Sequence, residues 1–229
     1  MNAILNLMRW DIILLNRNRL FVIAAIVTLM YVGLFYLFSP LGDLTILLVI
    51  LIYNDPVVTG YLFAGVLWLF DRNQHTLQAL SVLPLPLKSY LLAKTLVLSL
   101  LATLLSFIMT IATKGLTFNG FHLAVSVFGS AFLFSCFGFA IGALTRSFNQ
   151  FLLYSIPFFV VAALPFLPMF GVGQPLYFVL LPSTGGIELL QAAFTDQPIG
   201  YVLLLYGHLL LWMWLSWLLA LRITQHQLT

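Results

Sequence analysis

Leu20-Phe-Val-Ile-Ala-Ala-Ile-Val-Thr-Leu-Met-Tyr-Val-Gly-Leu-Phe-Tyr-Leu-Phe38 runs for 19 residues without a charge, a proline or an amide side chain. About 20 apolar residues cross the hydrocarbon of a bilayer as a helix, so this stretch, closed by Ser39-Pro40, predicts a transmembrane span. Five further stretches bounded by charge, Pro or Gly share its character. The second ends at Phe70 before Asp71-Arg72, and its start stays open because Asn54-Asp55-Pro56 interrupts a run that begins near Leu44. The third covers about Tyr90 to Ala112, the fourth His122 to Leu144, the fifth Phe151 to Phe170 and the sixth Tyr201 to Leu221. The expected class is therefore all-α: a polytopic membrane protein of six helices, with residues 1–229 forming one transmembrane domain.

Composition agrees with that expectation. Of 229 residues, 62% are hydrophobic and 7% charged, with 21 Phe, 9 Tyr and 5 Trp, and the mean hydropathy is +1.11. A soluble domain carries about 25% charged residues, so the surrounding solvent must largely be lipid. The chain is too apolar for disorder, and its single Cys136 cannot form an internal disulfide. The net charge of +3 comes from basic residues scattered singly, which points to no nucleic-acid partner.

The basic residues also set an orientation. With six spans and the N-terminus inside, Arg9, Arg17, Arg19, Arg72, Lys88, Lys94, Arg146 and Arg222 fall on the cytoplasmic side and Lys114 alone falls outside. Cytoplasmic loops are enriched in Lys and Arg, so both termini are expected in the cytoplasm. The first apolar segment lies behind 19 residues and is a full span long, unlike a cleaved signal peptide.

Three segments do not span. Residues 1–19 read as an amphipathic surface helix, with Asn2, Asn6, Arg9 and Asn16 on one side, Ile4, Leu5, Met8, Ile12 and Leu15 on the other, and Asp11 breaking the pattern. Residues 71–89 form an inner loop whose first half predicts a short helix with Leu77, Leu80 and Leu83 along one side, ended by Pro84 and Pro86. Connections need only a few residues, so the extra length suggests a docking surface. Residues 171–200 are long yet apolar, and their half-length runs predict two short outer helices dipping back into the membrane. The second is expected to be capped near Gly185-Gly186, with Glu188 in its first turn, where the helix dipole favours an acid.

Candidate chemistry is sparse. There is no Gly-x-x-x-x-Gly-Lys, His-Glu-x-x-His, Cys-x-x-Cys or Gly-x-Ser-x-Gly, hence no familiar phosphate loop, metal site or nucleophile elbow. His208 lies inside span six, where it reads as a neutral packing hydrogen bond or, as an ionisable group in the membrane, as a functional residue. Asp55-Pro56 fits a helix start, with Asp as N-cap and Pro at the first position; the other use of Asp55 is to line a pathway, together with Tyr61, Phe158 and Phe159. Lys94 lies a turn inside span three, close enough to snorkel to the inner surface. Ala131, Ser135, Gly138 and Gly142 make a small-residue stripe on span four that suits close packing within or between subunits. Pro157, Pro165 and Pro168 in span five suit a kinked or flexing element.

The inner loop carries a resemblance. Asp71-Arg72, Thr76-Leu77, Ala79-Leu80, Val82, Pro84-Leu85, Tyr90-Leu91 and Lys94 resemble the pattern of ABC-2-type permeases, the membrane subunits of ATP-driven exporters, although the common family form has Glu where this chain has Asp71. The layout of surface helix, six spans and outer re-entrant helices is similar across nearly the whole chain. The resemblance implies a permease of drug-exporter type, with a haem-exporter type as the near alternative, in a bacterial or archaeal plasma membrane. It implies two permease subunits around the substrate path, identical or related, each docking a coupling helix into a separate ATPase that holds ATP and Mg²⁺. Here that helix would contain Arg72, His75, Thr76, Leu77, Leu80 and Leu83. The permease chain itself would be no enzyme and would carry no cofactor. Two other classes compete: an intramembrane hydrolase using His208 with a serine or Glu188, and a non-transporting scaffold.

Overall fold

The computed structural model describes residues 2–42, 44–74, 76 and 86–227. Six helices in it are long and apolar enough to cross a membrane. Helix α1 (Asn2–Arg17) precedes the first span, α2 (Leu20–Phe38). The other spans are α3 (Thr45–Asn73), α4 (Leu87–Lys114), α5 (Gly120–Leu144), α6 (Phe148–Phe170) and α8 (Ile199–His226), with the short α7 (Thr184–Gln191) between the last two. The chain is a multi-pass membrane protein.

Helix α5 is the axis of the bundle: 72% of its most apolar window is buried, against 22% for α6 and α8. Its small residues explain why. A methyl group on Gly138 would overlap the carbonyl of Tyr61, and one on Gly142 would press on Gly65 Cα at 3.2 Å, so the stripe lets α3 and α5 meet backbone to backbone. The stripe thus packs inside the subunit. Asn119 caps α5 by accepting hydrogen bonds from the Phe121 and His122 amides, and its own N–H donates to the Ala193 carbonyl.

The expected helix start at Asp55-Pro56 is not what forms. Helix α3 runs through both residues, and Pro56–Leu62 widens into a π turn. Pro56 has no N–H to offer the preceding turn, and the wider winding accommodates that gap while the Thr59 hydroxyl donates to the Asp55 carbonyl at 2.7 Å. Membrane helices tolerate proline through such local changes of winding. Asp55 is therefore mid-helix, 2% exposed, and caps nothing. Helix α6 uses proline differently. Pro157 is absorbed within the α-helical part, but beyond Ala163 the span tightens into a 3₁₀ helix over Leu164–Phe170.

Two further expectations change. In α1 the inward line is Ile4, Leu7, Met8, Asp11, Leu14 and Leu15, while Leu5 and Ile12 lie exposed beside Trp10. Asp11 belongs to the packed face, because it has a partner there. Helix α7 starts at Thr184, one turn earlier than the glycines suggest, so Gly185 and Gly186 lie in its first turn and Glu188 lies beyond it. The glycines are needed for contact: side chains there would strike His208 and Ser130. The start of α7 is inserted into the bundle, with Tyr53 donating to the Ser183 carbonyl at 3.1 Å and Ser126 to the Gly186 carbonyl at 2.7 Å. The other outer element is a single 3₁₀ turn over Pro175–Phe178.

Gly138→Ala should lower the stability of the detergent-solubilised protein by about 1–3 kcal/mol, the usual cost of forcing extra carbon into a packed core. Gly33→Ala, mid-helix with nothing within 4 Å, should raise the thermal midpoint slightly.

Candidate functional site

Two places in the bundle combine geometry with chemistry. The first is a cleft between the spanning helices α3 and α6, with a volume of about 360 Å³. It forms where the π turn of α3 faces the phenylalanines of α6. Tyr53, Val57, Phe159 and Phe166 line it, and Asn54 supplies an amide. Behind it Tyr61 is fully buried, its ring stacked on Phe158 with centroids 4.6 Å apart and on Phe151 at 5.4 Å, and edge-on to Phe159 at 5.0 Å. The Tyr61 hydroxyl is 3.0 Å from Ser155 Oγ. Aromatic pairs at these distances contribute about 0.5–1.5 kcal/mol beyond area burial, so the wall is stiff.

Of the residues singled out from sequence, Tyr61, Phe158 and Phe159 thus come together, and Asp55 does not join them. Its carboxylate faces the other way, towards Ser106 Oγ at 3.5 Å on α4, while Oδ1 has no partner. The neighbouring Asn54 turns into the cleft instead. A helix sends consecutive side chains about 100° apart, and the Asn54-Asp55 pair gave no sign of which would face α6.

The second place is an ion-pair cluster at the bundle end that carries α1. Lys94 on α4 is 3% exposed and bonds Asp11 of α1 at 2.9 Å and Asp71 of α3 at 3.2 Å. The Tyr90 hydroxyl donates to Asp71 as well. Lys94 does not snorkel to the surface, because two carboxylates hold it inside. Burial keeps the Asp11 carboxyl above the usual carboxylate range, against the pull of the Lys94 ammonium and with a smaller push from Asp71. The cluster joins three elements at the root of the inner loop. Arg72 sits half-buried in the last turn of α3. Thr76 is half-buried, and His75, Leu77, Leu80 and Leu83 lie outside the described residues.

His208 is a packing group. Its Nε2–H donates to the Val179 carbonyl at 2.7 Å, which fixes the tautomer, and its Nδ1 has no partner. Glu188 bonds Tyr201 instead of His208, so the His208–Glu188 form of the hydrolase pair is not assembled.

A family model of fluoroquinolones export permease proteins matches residues 2–227. The chain belongs to that family. No curated protein matches it. Membership makes the chain an export permease, a transport protein and not an enzyme, and both places described above suit that work. In the permease the cleft offers an apolar aromatic slot between two spans, and the Lys94 cluster binds α1 to the adjoining ends of α3 and α4.

Lys94→Met should destabilise the permease by about 3–5 kcal/mol, because two carboxylates would then be buried unpaired. Replacing all three charges, as Asp11→Asn, Lys94→Met and Asp71→Asn together, should recover most of that loss in thermal unfolding.

Proposed function

We propose that this permease is the membrane subunit of an ABC-2-type, ATP-driven exporter, and that it moves planar aromatic amphiphiles of the fluoroquinolone kind out of the cell. The α1 end is the cytoplasmic end, since all basic residues but Lys114 gather there and cytoplasmic loops favour Lys and Arg. A separate ATPase docks on residues 72–83, and ATP and Mg²⁺ are held by that partner.

One observation carries the coupling: the Lys94 cluster ties α1, the end of α3 and the start of α4 into one unit beside the docking loop. A push on the loop then moves both flanking spans and the surface helix together instead of bending the loop alone. The displacement reaches the cleft through α3, which carries Asp71 at one end and Tyr53 and Asn54 at the other side of its π turn. The cleft receives the ring system between Phe159 and Phe166, with Asn54 as a hydrogen-bonding partner. Two permease subunits form the path, and the sparsely covered α6 and α8 are the spans open to the second.

Copurification tests this. The permease should bring down an ATPase and raise its turnover, and Leu77→Asp with Leu80→Asp should abolish both while the bundle stays folded. Survival of association and transport in that variant would reject the docking loop. Phe159→Ala should weaken transport of a fluoroquinolone about tenfold or more, as loss of an aromatic anchor of about 1–3 kcal/mol predicts.

A further inference from the structure

At the end of the bundle opposite α1, a cavity of about 540 Å³ lies between the 3₁₀ tail of α6, the helix α7 and the start of α8. Pro165 and Met169 make an apolar wall, and Glu188, Gln191, Gln197 and Tyr201 face them. Ligand sites commonly enclose about 300–1,000 Å³ with a few convergent polar groups on apolar walls, and this cavity has that build.

Glu188 is its one charged side chain. The Tyr201 hydroxyl donates to one carboxylate oxygen, and the other has no hydrogen-bond donor among the described residues. No basic side chain answers it either: among the described residues the ion pairs are those of Lys94 with Asp11 and Asp71. A half-buried acid without a counter-charge is costly to keep unless something brings the charge to it. Gln191 and Gln197 add carbonyl acceptors, so the polar wall can accept several N–H bonds around one negative charge. An anion entering here would be repelled.

We propose that this cavity is a binding subsite for the protonated amine of an amphiphilic substrate, with Glu188 as counter-charge and the Pro165–Met169 wall holding its aliphatic body. This rests on the export reading above and specifies the substrate class: molecules carrying an ammonium group, met at the far end of the path. Of the elements around Glu188, α8 contributes Tyr201 and the α6 tail contributes no titratable group. Asp196 is exposed in the connecting turn and lines a neighbouring cavity. Burial raises the Glu188 carboxyl above its usual range, so the negative charge is lost, and amine binding with it, as the pH falls through that raised value.

The test uses the purified permease in detergent, without any ATPase, titrated with a dansyl-labelled trimethylammonium probe and with its uncharged tert-butyl isostere. Glu188→Gln should weaken the ammonium probe about tenfold or more and leave the isostere unchanged. The wild type should lose ammonium affinity on acidification while the variant stays flat. Equal binding of the ammonium probe to both proteins, an equal loss for both probes, or no binding of the ammonium probe to the wild type would overturn the proposal. Thermal midpoints measured alongside show whether the variant is folded. If it is not, the acidification profile of the wild type decides, since a flat profile overturns the subsite. Copurification of the wild-type chain with an ATPase judges the export reading separately.

Discussion

Hydrocarbon offers no hydrogen bonds, so a polar group that this chain carries into the membrane is costly unless it is answered from within the protein. That constraint organises the bundle. Serine and threonine hydroxyls return to the carbonyl one turn back, as Thr28, Ser99, Thr110, Ser155 and Thr224 do and Thr103 does on α4. Tyr53 and Ser126 take the carbonyls at the inserted start of α7. Lys94, the most expensive group, is held between two carboxylates contributed by separate elements. Where a group is answered by another helix, two helices become fixed to each other, and the tertiary structure follows largely from those pairings.

The same constraint explains what the sequence made legible. Length and hydropathy settle a span because lipid thickness is nearly uniform, so Leu20–Phe38 and the ends at Leu144 and Phe170 were visible to the residue, and the remaining ends shifted by a few positions, up to five at His226. Facing was not legible. A hydrophobic periodicity tells core from water, but in lipid both faces are apolar, so nothing in the spacing of α3 showed that Asn54 turns towards α6 and Asp55 towards α4. Asp11 looked like a flaw in an amphipathic pattern because its partner lies 83 residues away. The role of Pro56 depended on whether the helix could widen around the missing N–H, as it does over Pro56–Leu62.

The candidate site was legible in part for the same reason. Tyr61, Phe158 and Phe159 were noticed as aromatic residues in adjoining spans, and aromatic residues in membrane cores tend to find each other by shape and quadrupole. The carboxylate in the cavity opposite α1 owes its surroundings in part to a segment that does not span. The 3₁₀ tail of α6 and the inserted α7 bring Pro165, Met169 and Glu188 together across more than 20 positions of chain.

The π turn at Pro56–Leu62 has a further effect. It takes in roughly one residue beyond what an ordinary winding holds, and each residue of an α-helix rotates the chain by about 100°. The compass bearing of Phe63–Asn73 relative to Thr45–Asp55 is thus set by that surplus unit. It is the surplus that aims Asp71 at Lys94 while Tyr53 and Asn54 look into the aromatic slot, so the two ends of a single span face different neighbours on different headings.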